Sequence, residues 1–206
     1  PILTRWLHLL LETFLSLFTD QHIFVSHGEK KRAHVLKFIN EENSIVIHNG
    51  VDHEYICDLS ITRKAALHAT GCENWETKKI LGTIARLSPE KGILYLLSAF
   101  CKALQEIPEL RLLIVGGCPK EHKNYYLKIN NFIEKENLAE HIHILNYQKD
   151  AIKILKCMDF YVSPSLSEGM PISMLEACAS KTPIIATEIT GNKDILRNSV
   201  FGILVK

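Results

Sequence analysis

The chain has 206 residues, of which 47% are hydrophobic and 23% are charged, and this ordinary globular composition excludes a disordered or fibrous chain. Its 24 Lys and Arg residues against 23 Asp and Glu residues leave a net charge of +1. This balance argues against a nucleic-acid-binding protein, because such proteins carry a basic stripe. The six cysteines are scattered without a Cys-x-x-Cys pair, so they predict neither a disulfide framework nor a zinc site but reduced thiols in a cytoplasmic protein.

An apolar segment opens the chain at residues 2–18. Arg5, His8 and Glu12 interrupt it, so it is too polar for a signal peptide or for a membrane span, which needs about 20 nearly uncharged residues. We predict an amphipathic helix that packs on a neighbouring element, with a helix lying on a membrane surface as the alternative. The next predicted elements are a strand at 23–26, a helix at 29–39, a strand at 45–48 and a loop-rich connection at 53–78.

From Lys79 onward, short apolar runs alternate with longer segments of helical periodicity. The predicted strands span residues 80–85, 111–115, 142–145, 160–163, 183–187 and 202–205. The predicted helices span residues 92–106, 124–137, 151–157, 171–180 and 192–197. The strands are continuously apolar and rich in β-branched residues, as expected of strands that are buried on both faces. The alternation therefore predicts an α/β fold, with a Rossmann-like parallel sheet flanked by helices.

Two strand-to-helix corners carry unusual residues, and ligands of open α/β sheets bind at such corners. The first corner, residues 85–92, places Arg86 and Lys91 five positions apart. Two cations in this position can grip a diphosphate, the guanidinium through its planar fork and the ammonium as a point charge. The alternative is a solvated loop in which Pro89 and Glu90 simply begin the next helix.

The second corner, residues 164–176, combines a glycine, a helix start and two acids. Gly169 lets the backbone come close to a ligand, and the helix that begins near Pro171 points its free N–H groups at an anion. Glu168 precedes that helix and Glu176 lies eight positions further on, and carboxylates suit pairs of sugar hydroxyls because they only accept hydrogen bonds. In the alternative reading, Glu168 only complements the helix dipole and Glu176 is a surface residue.

Several motifs together resemble family 4 of the GT-B glycosyltransferases, from about Asp20 to the end of the chain. The second corner is similar to that family's Ser-x-x-Glu-Gly-x-Pro motif, with a second Glu after seven intervening residues. The first corner resembles its Arg-Leu-x-Pro-Glu-Lys-Gly loop. Residues 49–52, 191–195 and 202–205 resemble its domain-entry and closing segments. Four positions depart from the pattern: Ala85, Asn146 and Lys181 replace common glycines, and Asp194 replaces a commoner Glu.

The resemblance implies retaining transfer of a sugar from a nucleotide-diphosphate sugar, UDP- or GDP-linked, to a glycan, lipid or small acceptor. It implies neither a metal ion nor a cofactor. Arg86 and Lys91 would neutralise the diphosphate, Glu168 would hold hydroxyls of the donor sugar, and these three are the implied catalytic residues. Glu176 would bind the ribose. The remaining implied donor-binding positions are Asn146 and Tyr147 at the base and Gly169, Met170, Pro171 and Ile172 at the phosphates.

The resemblance also predicts how the chain is divided. Residues 1–48 would be the end of an N-terminal acceptor domain, and residues 49–206 the nucleotide-sugar-binding domain. Such a fragment is expected to bind nucleotide but to transfer little or no sugar. It would lie in the cytoplasm or reach the inner face of a membrane peripherally through the missing N-terminal domain.

Two alternatives stay open. One is a nucleotide-sugar epimerase of GT-B architecture, which the Glu-x7-Glu pattern disfavours. The other is a non-catalytic binding module, which is disfavoured because Arg86, Lys91 and Glu168 are all present. A zinc site is not expected, since His141 and His143 on one strand supply only two ligands.

Overall fold

The structure, a computed structural model, describes residues 2–36, 39, 41–197 and 200–206. The strands are β1 (His22–Phe24), β2 (Ser44–Val46), β3 (Lys79–Ile84), β4 (Leu110–Val115), β5 (Ile142–Leu145), β6 (Phe160–Ser163), β7 (Ile184–Thr187) and β8 (Gly202–Val205). The helices are α1 (Ile2–Ser16), α2 (His27–Val35), α3 (His53–Asp58), α4 (Arg63–Thr70), α5 (Ile93–Glu106), α6 (Lys123–Lys135), α7 (Ala151–Ile154), α8 (Ile172–Ala179) and α9 (Thr190–Leu196).

A six-stranded parallel sheet organises the chain from β3 onward, in the order β5-β4-β3-β6-β7-β8. Gly82 of β3 lies beside Leu113 of β4 on one side and Tyr161 of β6 on the other. The chain runs outward from β3 to β5 and then returns to continue on the opposite side, which is the doubly wound order of the Rossmann fold. The predicted Rossmann-like parallel sheet with flanking helices is therefore confirmed. The carboxyl ends of β3 and β6 flank the point where the order reverses.

Both faces of the central strands of this sheet are buried, as the continuous apolar runs predicted, whereas the edge strand β8 leaves Ile203 and Val205 exposed. Leu112 and Ile114 of β4 pack with Leu97 and Phe100 of α5 in one core cluster. Their neighbours on the same strand, such as Leu113, belong to the cluster on the opposite face. Because successive strand residues point to opposite faces, a strand covered on both sides must be apolar at every position.

A separate pair of parallel strands, β1 and β2, precedes the large sheet. The helix predicted at 29–39 is α2, which ends at Val35, while residues 37 and 38 lie outside the described residues. Ser26 caps this helix, since its hydroxyl accepts a hydrogen bond from the Glu29 amide. The division of the chain after residue 48 stays a prediction.

Helix α1 is present where an amphipathic helix was predicted. Its side chains Leu7, Leu10 and Phe14 are exposed, and packing on a neighbouring element stays a prediction. None of the helices in the described part of the chain is both long enough and apolar enough to cross a membrane.

The prediction of a loop-rich connection at 53–78 was wrong. This segment contains α3, α4 and a 3-10 turn at Glu73–Trp75. Asp52 caps α3 by accepting from the Tyr55 amide at 2.9 Å, and Thr62 caps α4 by accepting from the Ala65 amide at 3.2 Å. Helix α3 buries one side chain and α4 buries three, so their apolar period is too brief to recognise in a polar sequence.

Gly92, at the start of α5, is expected to tolerate no side chain. Its φ is 67°, and a Cβ atom there would overlap the backbone oxygen of Pro164. We expect Gly92→Ala to lower the free energy of unfolding by about 3 kcal/mol, measured by urea denaturation. Gly71 is a matched control, because its φ is 72° but nothing lies within 4 Å of the added Cβ. Gly71→Ala should cost only about 1 kcal/mol, and equal losses at the two positions would contradict the Pro164 clash.

Candidate functional site

The pairing of β3 with β6 brings the two predicted corners together at one edge of the sheet. The backbone amide of Leu166 in the second corner donates a hydrogen bond to the backbone oxygen of Glu90 in the first corner, at 2.8 Å. Gly92 packs directly on the Pro164 backbone. The two loops therefore support each other at the reversal of strand order, where doubly wound sheets bind ligands.

Lys91 and Glu168 form an ion pair across these corners. The Lys91 Nζ atom lies 2.5 Å from Glu168 Oε1, and the two side chains are only 16% and 13% exposed. The Ser165 hydroxyl donates to the same carboxylate oxygen at 2.8 Å. Since little water reaches this pair, its attraction is screened less than that of a surface pair. The structure thus joins two predicted site residues that lie 77 positions apart in sequence.

Arg86 lies on the solvent side of the first corner, away from this pair. Its side chain is 68% exposed, and its Nη2 atom lies 3.6 Å from Glu90 Oε1. The pKa of Glu90 is lowered, mainly because the Ser88 hydroxyl donates to its carboxylate and also because of the Arg86 charge. An exposed pair of this kind is weak, so the guanidinium can turn toward a ligand at little cost.

A cavity of about 510 Å³ opens beside α8, within the size range typical of small-molecule sites. Three predicted residues, Tyr147, Ile172 and Glu176, line it together. Asn146 is not among the lining residues; its side chain is exposed and its backbone oxygen accepts from Gln148. The remaining lining residues come from residues 50–52, 55–56, 84 and 148–152.

Sequence reasoning missed most of those additional lining residues. Tyr55 and Ile56 belong to α3, in the segment that was predicted as loop. Asp52 closes the Asn-Gly-Val-Asp segment, so that resemblance was a signal that could have drawn attention to it. Gln148 and the residues after it follow β5, and their position at the carboxyl end of a parallel strand was the available signal.

Glu176 projects from α8 into this cavity and is not a surface residue. Burial raises the pKa of its carboxyl group. Among the described residues no hydrogen-bond or ion-pair partner of this carboxylate is found. A partly buried carboxylate without a protein partner has acceptor capacity to offer a ligand.

Glu168 lines a second, polar cavity of about 370 Å³, on the other side of the Gly169 loop. Gly169 lines it too, together with Glu29 and Arg32 of α2 and Lys193 of α9. Glu168 and Glu176 therefore face different spaces, separated by residues 169–172.

Two backbone N–H groups of the loop at 168–171 have no partner among the residues that the structure describes. The amides of Gly169 and Met170 donate no hydrogen bond to any described residue, while the Met170 oxygen accepts from the side chain of Asn49 at 2.9 Å. Helix α8 begins at Ile172, and Pro171 stands at its N-cap. Free N–H groups before a helix start form a site that favours anions.

Two positions that depart from the family pattern are accounted for by the fold. Lys181, after α8, has a φ of 59° in the left-handed region, which explains why glycine is the easier residue there. Asp194 of α9 accepts a hydrogen bond from the His27 amide at 2.6 Å and so joins α9 to the start of α2. Within the described ranges, no three His, Cys, Asp or Glu side chains come together in a way that could hold a metal ion.

A family model covers the part of the chain that forms the large sheet and both corners. The family model of group 1 glycosyl transferases matches residues 72–206. The chain belongs to this family. The matched residues contain every predicted site residue, from Arg86 to Glu176.

Relatives with assigned activities match over nearly the whole chain. The Escherichia coli UDP-Gal:alpha-D-GlcNAc-diphosphoundecaprenol alpha-1,3-galactosyltransferase is 28% identical over 198 residues, which cover 95% of this chain and 50% of the relative. The Staphylococcus aureus poly(ribitol-phosphate) alpha-N-acetylglucosaminyltransferase is 27% identical over 222 residues, which cover 94% of this chain and 43% of the relative. The chain thus spans about half the length of these relatives.

Solved structures confirm the GT-B type of fold. Anabaena Alr3699/HepE in complex with UDP and glucose superposes with a TM-score of 0.82 at 21% identity, covering 91% of this chain and 49% of that protein. A glycosyltransferase from Rickettsia africae ESF-5 superposes with a TM-score of 0.80 at 26% identity, covering 92% of this chain and 50% of that protein.

Proposed function

We propose that this chain is the C-terminal, donor-binding part of a retaining glycosyltransferase of family 4, with residues 1–48 belonging to the acceptor domain. The observation that carries the proposal is that one edge of a doubly wound sheet holds the Lys91–Glu168 pair, the Glu176 cavity and, between Glu168 and Glu176 in sequence, the unpartnered amides at 169–170. The whole enzyme would transfer a sugar to a glycan, lipid or small acceptor. The nucleoside diphosphate would leave.

The chemical task of this corner is to stabilise the departing diphosphate. As the glycosidic bond to phosphate breaks, negative charge grows on the leaving oxygens, and fixed cations and N–H groups stabilise that charge in the transition state. Lys91, the amides of Gly169 and Met170, and a reoriented Arg86 would supply them. We therefore propose that neither a metal ion nor a cofactor is needed.

The ion pair is compatible with this task. The Lys91 ammonium has three donors, so it can keep one hydrogen bond to Glu168 while another reaches a phosphate oxygen. Glu168 accepts from Lys91 and Ser165 through Oε1 only, which leaves Oε2 for a hydroxyl of the donor sugar. The pair would thereby link recognition of the sugar to recognition of its leaving group.

The Glu176 cavity would hold the nucleoside, with the carboxylate accepting from the ribose hydroxyls. Tyr147, which is 74% exposed at the rim, would cover the base, and the backbone at Asn146 would complete the surroundings of the base.

UDP is the favoured nucleotide, because the Escherichia coli relative is named for UDP-Gal and the Anabaena structure contains UDP. GDP is the second candidate. The names of the two bacterial relatives support a lipid-linked or polymeric acceptor, and we propose that the enzyme acts in the cytoplasm or peripherally at the inner membrane face.

Nucleotide binding by this chain tests the proposal directly. We expect calorimetry to detect UDP or GDP binding in preference to ADP, and little or no sugar transfer, since this chain spans about half the length of its relatives. Glu176→Ala is the control that should lose the binding. If none of the three nucleotides binds at millimolar concentration, the proposal is overturned.

Incubation with a UDP-sugar and no acceptor tests the epimerase alternative, which predicts an epimerised product.

A further inference from the structure

Residues that precede the large sheet hold the loop at 168–171 from its outer side. The side-chain amide of Asn49 donates to the Met170 oxygen at 2.9 Å across 121 residues of sequence. Asn49 is partly buried and follows β2 by only a few residues. A side-chain amide that reaches a specific loop oxygen fixes the direction in which that peptide group points.

The same loop is packed tightly against α2. A Cβ atom at Gly169 would overlap the Glu29 carboxylate and lie 3.0 Å from Val25 Cγ2. The α2 helix is in turn tied to α9 through the hydrogen bond from the His27 amide to Asp194. The Glu29 side chain therefore packs against the loop on the side of α2, and Asn49 restrains the turning of the Met170–Pro171 peptide group.

The direction of the Met170 oxygen matters because of the residue that follows. Pro171 has no N–H, so the Met170–Pro171 peptide group can offer only an acceptor. If this oxygen turned toward a diphosphate, it would oppose the negative charge and displace the amides of Gly169 and Met170. The hydrogen bond from the Asn49 side chain holds the Met170 oxygen in its observed direction.

We propose that Asn49 is a positioning residue for the diphosphate, acting through the Met170 carbonyl group and not through contact with the ligand. This inference rests on the proposed function, since it assumes that a nucleoside diphosphate binds at the loop. It predicts that Asn49 affects recognition of the phosphates and leaves recognition of the nucleoside unchanged.

The test compares UDP with uridine for the wild-type chain, Asn49→Ala and Asn49→Asp. Asn49→Ala removes one neutral hydrogen bond and should weaken UDP binding about fivefold. Asn49→Asp keeps the shape but opposes the Met170 oxygen with a carboxylate, so it should weaken UDP binding about tenfold or more. Uridine affinity, measured by ligand-observed NMR, should stay within about twofold in both variants.

Asn131→Asp is the matched control, because it makes the same chemical change at an exposed position on α6. It should leave both affinities unchanged, and thermal unfolding of all variants shows that each remains folded. Unchanged UDP affinity in both Asn49 variants would overturn the inference, as would equal losses for UDP and uridine, which indicate a general disturbance of the cavity. Failure of the wild-type chain to bind UDP or GDP would instead overturn the proposed function.

Discussion

Replacement of Lys91 by methionine should lower the free energy of unfolding by about 3 kcal/mol, because it leaves the Glu168 carboxylate without its cation in a place where it is only 13% exposed. The Ser165 hydroxyl, one neutral donor, cannot replace an ammonium group. Urea denaturation at neutral pH measures the loss. Lys193→Met is the matched control, since its pair with Glu188 is 51% and 35% exposed and should contribute less than about 1 kcal/mol.

The double variant Lys91→Met/Glu168→Gln separates this stability effect from function. With both charges removed, most of the lost stability should return, because no unpaired charge remains buried. UDP binding should not return, since the cation that would face the diphosphate is still absent, and we expect a loss of about tenfold or more in both variants. If the double variant recovers none of the stability that Lys91→Met loses, the two side chains are not coupled.

Replacement of Glu176 by glutamine should have opposite effects on stability and on binding. Burial raises the pKa of the Glu176 carboxyl group in the folded protein, so folding favours its protonated form. The stabilisation from that form is complete below the ordinary pKa of a glutamate and is lost as the pH rises through the raised, folded-state value. Glutamine never ionises, so Glu176→Gln should be more stable than the wild-type protein at neutral pH, and the difference should vanish in acid.

The same substitution should weaken UDP binding by about tenfold to a hundredfold, because a carboxylate forms stronger hydrogen bonds with ribose hydroxyls than an amide oxygen does. Wild-type affinity should also fall as the pH is lowered through the raised pKa of Glu176. UDP itself also titrates, and it does so equally with the wild-type protein and with Glu176→Gln. The difference between their two profiles of UDP affinity against pH therefore reports the titration of Glu176 alone. Glu134→Gln, on an exposed part of α6, is the control. Unchanged UDP affinity in Glu176→Gln would remove Glu176 from the proposed site.

The large sheet was predictable because its strands are buried on both faces. A run such as that of β4, buried at five of its six positions, is recognisable from composition alone. The helices α3 and α4 were not recognised, because each is too short to show a period: α3 buries one side chain and α4 buries three. Their absence from the prediction also hid Tyr55, which lines the candidate nucleoside cavity.

The sequence by itself determined the α/β class, the two corners and the identity of the charged residues that they carry, because these depend on local composition and on short motifs. Only the tertiary structure decided which of those residues meet. The pairing of β3 with β6 places Lys91 on Glu168, while Arg86 turns to Glu90 and Asn146 stays outside the cavity. The contact of Asn49 with Met170 spans 121 residues. Such contacts depend on strand order and helix packing, which bring distant segments together and leave no trace in the local pattern of either one.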